Sequence, residues 1–281
     1  MRIDEVIVPN TLGEALAALK RNPDALLCAG GTELFSDEPA DQAGRPRILI
    51  SLHGVPELRH ISRTDHYIEV GSTTTLGELL ALKAEFLPET LRTVIRRIGT
   101  YAVRNLATLG GNLSAPGRFR DCFPILACMD ALAEYRQGAA SRWVNLNRLV
   151  GNRGTPLIPK GEILTRIRIP LTGWDLGIAH KLGLPRANSG KTSLFVALAR
   201  TDKRVLSDIR LFYMSDRALR SREIETSIAG KRIPLSSRDM ESALGAYASY
   251  CARMGVPESS VPRFLDLVRR AFAQLNEGAP A

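Results

Sequence analysis

VRNLATLGGN, residues 103–112, contains a Gly-Gly pair flanked by Thr108 and Asn112, and a second pair stands far upstream in AGGT, residues 29–32. Because glycine lacks a side chain, the backbone at such a pair can take a positive φ and approach a ligand closely, with successive N–H groups turned toward a diphosphate. One Gly-Gly pair alone is ordinary turn chemistry. Two separated pairs, each with polar neighbours, indicate two halves of one nucleotide-cofactor site.

The chain before the first pair predicts a strand that runs into a glycine loop. Ala25–Cys28 is a short apolar run that is typical of a buried strand, and it ends directly before Ala29 and Gly30. Upstream, residues 11–20 place apolar side chains on one helical face, between Pro9 and Asn22-Pro23. A helix, a strand and a glycine loop are therefore expected in that order.

Around the two pairs the chain resembles the flavoprotein (medium) subunits of the molybdenum hydroxylases, a family that includes the FAD domain of xanthine dehydrogenase and the medium subunit of carbon monoxide dehydrogenase. AGGTEL at 29–34 is similar to the family's first FAD loop, and VRNLATLGGN at 103–112 is similar to its second. The resemblance is close over residues 3–170 and looser beyond. Its other ordered blocks are Leu49–Leu52, Glu57-Leu58, Gly71–Leu79, Asp121, Pro124, Glu162–Leu164 and Ile169-Pro170.

The resemblance implies an α+β fold in two parts. Residues 1–172 are expected to form a two-lobed FAD-binding domain of the PCMH (vanillyl-alcohol oxidase-like) type, with lobes at about 1–54 and 55–172. Residues 173–281 are expected to form a small antiparallel sheet with helices, similar to the C-terminal domain of carbon monoxide dehydrogenase flavoproteins. Residue patterns agree, since they predict strands at 178–182, 192–199 and 204–214 and helices at 240–253 and 262–275.

Further helices are predicted in the first domain from apolar spacing. They cover residues 76–82, 91–98 and 123–133. Asp121 stands where it would cap the last of these, because a carboxylate suits both the free N–H groups and the dipole of a helix start.

The resemblance also implies the residues that would hold one noncovalent FAD. The diphosphate would lie against the two loops, which contribute Ala29, Gly30, Gly31, Thr32, Glu33, Leu34, Thr108, Gly110, Gly111 and Asn112. Asp121 would accept hydrogen bonds from the ribose or adenine, and Ile98 and Leu164 would pack on the adenine or isoalloxazine. Lys181 would lie near the flavin, where an ammonium stabilises negative charge on the reduced ring. The alternative interpretations are a helix cap for Asp121, core positions for Ile98 and Leu164, and a solvated strand position for Lys181.

The function implied by the resemblance is electron transfer within a larger enzyme. A molybdenum-binding large subunit with molybdopterin would oxidise the substrate, a small subunit with [2Fe-2S] clusters would carry single electrons, and this chain's FAD would pass them to NAD or another acceptor. Transfer to oxygen is a variant of the same function. The chain departs from the family at Pro116–Arg120, where relatives have small residues. That segment is expected to tighten the adenosine pocket or to contact another subunit.

Two other classes of function are alternatives. Pro185–Thr192 differs by one residue from the phosphate-binding P-loop, but Pro185 replaces its first glycine and lacks the N–H that the loop needs. Ser193–Leu198 also predicts a strand where a P-loop would begin a helix. The second alternative is an assembly subunit without a cofactor, which would be colourless.

Composition excludes several classes and leaves a cytoplasmic protein as the expectation. The 281 residues are 44% hydrophobic, enough for a substantial core, and no stretch predicts a signal peptide or a membrane span. The net charge is +9, but basic residues are spread along the chain and only 6% of residues are aromatic, which argues against nucleic-acid binding. The four cysteines and four histidines form no metal-ligand pattern, so neither a cluster nor a metal is predicted. The arginines at 92, 96, 97, 217, 220 and 222 are interpreted as solvated faces, or as a surface for docking a subunit.

Overall fold

Two structural units make up a computed structural model of the chain, which describes residues 3–35, 48–115, 120–150, 157, 159–183, 192–215 and 217–278. The first unit is formed by Met1–Leu149 and Leu157–Leu171, and the second begins at Thr172. The segment Pro116–Phe119 and the P-loop-like residues 185–191 lie outside the described residues.

The first unit begins with a small parallel sheet and a helix that covers it. Strands β1 (Glu5–Ile7), β2 (Leu26–Cys28) and β3 (Ile48–Ser51) pair in the order β1-β3-β2, and α1 (Leu12–Arg21) connects β1 to β2. The α1 helix starts where Thr11 accepts a hydrogen bond from the N–H of Glu14. Its apolar face packs on Ile50 of the central strand. The predicted strand at 25–28 is confirmed, but it is an edge strand whose Leu27 is 36% exposed rather than buried.

The rest of the first unit is a five-stranded antiparallel sheet with short helices. Its strands pair in the order β4-β5-β8-β6-β7. They are β4 (Ile61–Arg63), β5 (Tyr67–Gly71), β6 (Leu132–Gln137), β7 (Ala140–Asn145) and β8 (Ile163–Pro170). Between β5 and β6 run α2 (Leu76–Ala81), α3 (Glu89–Arg96), α4 (Tyr101–Leu106), α5 (Leu109–Ser114) and α6 (Cys122–Cys128). The chain therefore leaves this sheet after β5, forms the helical segment that contains the second glycine pair, and returns at β6.

A charged network lies on one face of the five-stranded sheet. Glu134, which is 2% exposed, accepts hydrogen bonds from Arg166 at 2.8 and 3.0 Å and from the Thr165 hydroxyl at 2.5 Å. Glu69 accepts from Arg168 at 2.8 Å and from Arg166 at 3.2 Å. Burial raises the pKa of Glu134, but the hydrogen bonds and the guanidinium charges outweigh it and bring this pKa to about 2. The Glu134 carboxylate thus stays ionised inside the sheet.

The second unit is an antiparallel sheet backed by helices. Strands β9 (Leu176–Leu182), β10 (Ser193–Asp202), β11 (Val205–Met214) and β12 (Ala218–Leu219) pair in the order β12-β11-β10-β9. Helices α7 (Arg222–Ile228), α8 (Ser237–Arg253) and α9 (Val261–Glu277) follow. Phe264 of α9 packs against the rings of Phe195, Tyr213 and Tyr247. The predicted strands and the two long helices are confirmed, and residues 193–198 form a strand, against the helix that a P-loop requires.

Some sequence-based expectations were wrong, and local geometry explains each. The predicted helix over 123–133 ends at Cys128, because Asp130 takes a left-handed φ of 57° and β6 begins two residues later. Arg92 is not solvated but only 6% exposed, and it donates to the carbonyls of Leu80 and Leu82 at the end of α2. The last carbonyls of a helix have no N–H donor within the helix, so the guanidinium takes that place. Arg220 is likewise buried, paired with Glu225 at 3.0 Å.

Candidate cofactor site

The first glycine loop follows β2 and turns sharply at Gly31. Gly31 has a φ of 68°, a conformation that favours glycine, and its carbonyl accepts from the N–H of Phe35 at 3.0 Å. Among the described residues, no backbone carbonyl accepts from the N–H of Gly30 or of Thr32. Burial raises the pKa of the neighbouring Cys28 thiol, so this side chain is neutral. The loop, Ala29 to Leu34, is only partly exposed.

Gly30 brings the first loop into direct contact with the second. A methyl group built on Gly30 would overlap the carbonyl oxygen of Leu106, the last residue of α4. No residue other than glycine fits there unless the two segments separate. The two glycine-containing segments, in which Gly30 and Gly110 are 80 residues apart, are therefore neighbours in the first unit, and their shared contact with a cofactor stays a prediction.

The second glycine pair is not a turn, as the sequence suggested, but the start of a helix. Thr108 caps α5, and its Oγ1 accepts from the N–H of Gly111 at 3.0 Å. Neither Gly110 nor Gly111 has a positive φ. Gly110 is required for a different reason: a Cβ at this position would lie 2.6 Å from the side chain and the carbonyl oxygen of Ser72. Close packing, rather than backbone conformation, accounts for this glycine.

Ser72, Thr73 and Thr74 form a third segment of the site that the sequence analysis did not assign. The N–H of Gly110 donates to the Ser72 carbonyl at 2.9 Å, and the N–H of Leu109 donates to the Thr74 carbonyl at 3.0 Å. The three side chains are 1 to 5% exposed, and within the described residues none of their hydroxyl oxygens has a hydrogen-bond partner. A run of three hydroxyl residues directly after a buried strand was the sequence signal.

Asn112 contacts the start of α6, next to Asp121, and makes the capping bond that the alternative interpretation assigned to Asp121. Asn112 Oδ1 accepts from the N–H of Cys122 at 2.9 Å, so the amide caps this helix. Asp121 holds the N-cap position but is helical in conformation, and its carboxylate makes no capping bond. The helix-cap interpretation of Asp121 is therefore wrong. Asp121 is a buried residue, 7% exposed, at the start of α6.

The remaining predicted residues occupy three different positions. Ile98 follows α3 and is 8% exposed, and its carbonyl accepts from Arg104 at 3.0 Å. Leu164 lies on β8 opposite Tyr135 and is 6% exposed. Lys181 belongs to the second unit, on β9 opposite Leu194. Their proposed contacts with the cofactor stay predictions.

The residues of the first unit fit a dinucleotide. The first glycine loop suits phosphate oxygens. It contains a left-handed glycine and two N–H groups that donate to no backbone carbonyl of the described residues. The hydroxyl groups of Ser72, Thr73 and Thr74 are buried donors that the described protein groups do not satisfy, and such groups cost free energy unless a further partner is supplied. The described residues contain no group of three or more His, Cys, Asp or Glu side chains placed to hold a metal ion. Nor does any helix in the described ranges combine the length and the apolarity that a membrane span needs.

Comparison with known proteins identifies a family for the part of the chain that contains this site. A family model described as "FAD binding domain in molybdopterin dehydrogenase" matches residues 2–172. Aldehyde oxidase 2 of Cavia porcellus is 33% identical over 176 residues, which are 58% of this chain and 13% of that protein. The xanthine dehydrogenase FAD-binding subunit of Escherichia coli O157:H7 is 29% identical over 72% of this chain and 70% of its own length. This chain thus spans about an eighth of the aldehyde oxidase and most of the bacterial subunit.

Solved structures share the fold over nearly the whole chain. A chain of the carbon monoxide dehydrogenase from Hydrogenophaga pseudoflava superposes with a TM-score of 0.81 at 22% identity, covering 98% of both chains. A chain of quinoline 2-oxidoreductase from Pseudomonas putida 86 gives 0.77 at 20% identity, covering 99% of this chain and 98% of that one. The predicted fold class and the predicted family are confirmed. The chain belongs to the family of FAD-binding domains found in molybdopterin dehydrogenases.

Proposed function

We propose that this chain is the FAD-carrying electron-transfer subunit of a multi-subunit molybdenum hydroxylase. Its first unit holds FAD noncovalently, and the oxidation of the substrate takes place on a molybdopterin-containing partner. A second partner with [2Fe-2S] clusters delivers the electrons, which FAD accepts singly and releases in pairs to NAD or another acceptor. The support from relatives is that several of them are named as FAD-binding or medium subunits of dehydrogenases.

The contact between Gly30 and Leu106 carries this proposal. It joins the loop at 29–34 to the helical segment at 101–114, so that two glycine-rich segments with different sequence origins border one space. A phosphate-binding loop needs such close backbone approach, and ordinary turns do not. The buried hydroxyl groups of Ser72, Thr73 and Thr74 line the base of the same segment.

Each group of residues then has a distinct task. The loop at 29–34 donates backbone N–H groups to the diphosphate, and the Thr32 hydroxyl adds a side-chain donor. Thr108 and Asn112 keep the second segment in place through their capping bonds. Asp121 accepts a hydrogen bond from the ribose or adenine.

The visible spectrum of the purified chain tests the proposal. We expect a yellow protein with flavin absorption bands, and release of FAD rather than flavin mononucleotide on denaturation. The holoenzyme should bleach when substrate is added, and transfer to NAD should appear as NADH formation. A colourless chain that takes up no FAD on reconstitution would refute the cofactor assignment. A flavin that is reduced by substrate but never by NADH would refute only the acceptor.

Replacing Asp121 with alanine is expected to weaken FAD binding by about 10-fold while the fold stays intact, since one hydrogen bond to a charged group is lost. The α6 helix should not lose stability, because Asn112 rather than Asp121 caps it. Equilibrium dialysis of FAD and far-ultraviolet circular dichroism measure the two effects. Asn112→Ala is the matched variant, and it should lower stability through the lost cap. Full flavin retention in Asp121→Ala would contradict the assignment.

A further inference from the structure

Arg120 is a buried cation, and one of its guanidinium nitrogens has no acceptor in the part of the chain that the structure describes. The residue directly precedes Asp121 and is 6% exposed. Its Nε donates to the carbonyl of Ala115, the residue that follows α5, at 3.0 Å. Its Nη1 is buried and has no hydrogen-bond partner among the described residues. The nearby Tyr135 hydroxyl, also buried, interacts with the guanidinium electrostatically.

Arg92 and Arg220, whose side chains are also largely buried, have hydrogen-bond partners with which Arg120 can be compared. Arg92 donates to the carbonyls of Leu79, Leu80 and Leu82. Arg220 pairs with the Glu225 carboxylate at 3.0 Å. In contrast, Arg120 donates from Nε to the Ala115 carbonyl, while its Nη1 finds no acceptor among the described residues. Burial lowers the pKa of Arg120, which reflects the cost of burying a charge, although an arginine stays protonated at neutral pH.

The surroundings of Arg120 are those of the proposed cofactor site. Ala115 ends the segment that begins with Thr108 and the second glycine pair. Asp121, the next residue, is joined to α5 through the bond from Cys122 to Asn112. Tyr135 lies directly opposite Leu164 on the neighbouring strand. The unsatisfied donor therefore stands among residues that resemble the family's adenosine contacts.

The chemistry of the missing partner follows from the donor. A guanidinium carries only N–H donors, so its partner must be an acceptor, and an anion compensates the charge best. FAD offers such acceptors in its adenosine monophosphate part, as phosphate, ribose and adenine ring atoms. Flavin mononucleotide lacks this part.

We propose that Arg120 donates from Nη1 to the adenosine monophosphate part of FAD, which flavin mononucleotide lacks, and thereby makes the site select FAD over flavin mononucleotide. This inference rests on the proposed function, because it assumes that the first unit binds FAD.

Calorimetric titration of the apoprotein with FAD, ADP and flavin mononucleotide tests the inference. Arg120→Met keeps the aliphatic stem but removes the charge, so we expect FAD and ADP to bind about 10- to 100-fold more weakly, as for loss of a hydrogen bond to a charged group. Binding of flavin mononucleotide should not change. The melting temperature of the apoprotein should stay the same or rise, because a buried unpaired charge is removed.

Arg142→Met is the matched control. Arg142 also lies over the Tyr135 ring, but its side chain is 52% exposed and pairs with Glu162 at 2.7 Å. All three affinities should therefore match those of the wild type.

Three results would overturn the inference. Unchanged FAD affinity in Arg120→Met, with a lower melting temperature of the apoprotein, would show that the residue is only structural. An equal loss of affinity for FAD and flavin mononucleotide would exclude a contact with the adenosine monophosphate part. If the wild type bound no FAD, both the proposed function and this inference would fall, whereas binding that survives Arg120→Met refutes the inference alone.

Discussion

Replacing Gly30 with alanine is expected to lower FAD affinity by about 10- to 100-fold. The cause is about 1–3 kcal/mol of strain from overpacking. The added methyl group would overlap the carbonyl oxygen of Leu106, which is backbone and cannot rotate away. The loop at 29–34 and the end of α4 would then separate, and the donors on the two sides would no longer match one diphosphate. Fluorescence titration of the apoprotein with FAD measures the loss.

Two alanine variants provide the controls. Gly111→Ala meets only the Thr108 Oγ1 atom, at 2.8 Å, and this side chain can adjust, so a smaller loss is expected. Gly245→Ala lies in α8 with nothing within 4 Å of the added methyl group. It should leave FAD binding unchanged and stabilise the helix by about 0.5–1 kcal/mol. Wild-type affinity in Gly30→Ala would show that the contact with Leu106 is not part of the cofactor site.

Replacing Glu134 with alanine is expected to destabilise the first unit by about 3 kcal/mol, in the range found when one partner of a buried ion pair is removed. The carboxylate is 2% exposed and accepts from both Arg166 and Thr165, which would lose their partner inside the sheet. Urea denaturation followed by the fluorescence of Trp143, in a Trp174→Phe background, reports on this unit. Glu89→Ala removes an exposed carboxylate that pairs with Arg96 at 2.6 Å and with Arg92 at 3.6 Å, and it should cost less than about 1 kcal/mol.

The pH dependence of stability separates the charge of Glu134 from its packing. Its pKa is about 2 in the folded chain and 4.5 in the reference state, so the folded state favours the ionised form. The contribution is fully present above about pH 4.5 and is lost as the pH falls toward 2. Relative to the wild type, Glu134→Ala should therefore lose most stability at neutral pH and least near pH 2. An equal loss at both pH values would mean that the carboxylate acts only by filling space.

The sequence was sufficient where periodicity and composition act locally. The apolar face of residues 11–20 predicted α1, and runs bounded by turn residues predicted β10 and β11, because such patterns are local to the segment that folds. The glycine pairs predicted the place of the site, and the family confirmed FAD as its cofactor.

Features that depend on contacts between distant segments escaped the sequence. Gly110 is needed because Ser72 lies against it, and no local pattern connects residues 38 positions apart. The capping of α6 by Asn112 and not by Asp121 has the same origin, since both side chains suit a helix cap and only the fold decides which one reaches the N–H of Cys122. Arg92 was assigned to the surface because arginine usually lies there, but the carbonyls at the end of α2 bind it.

The close contact of Gly30 with Leu106 involves only backbone atoms of the two segments. A binding site that is preorganised in this way loses little conformational entropy when the cofactor binds. The interaction free energy that would otherwise order two mobile loops is then expressed as slow dissociation. For a redox carrier this matters, because a cofactor that stays through many turnovers keeps the relay intact without being replenished.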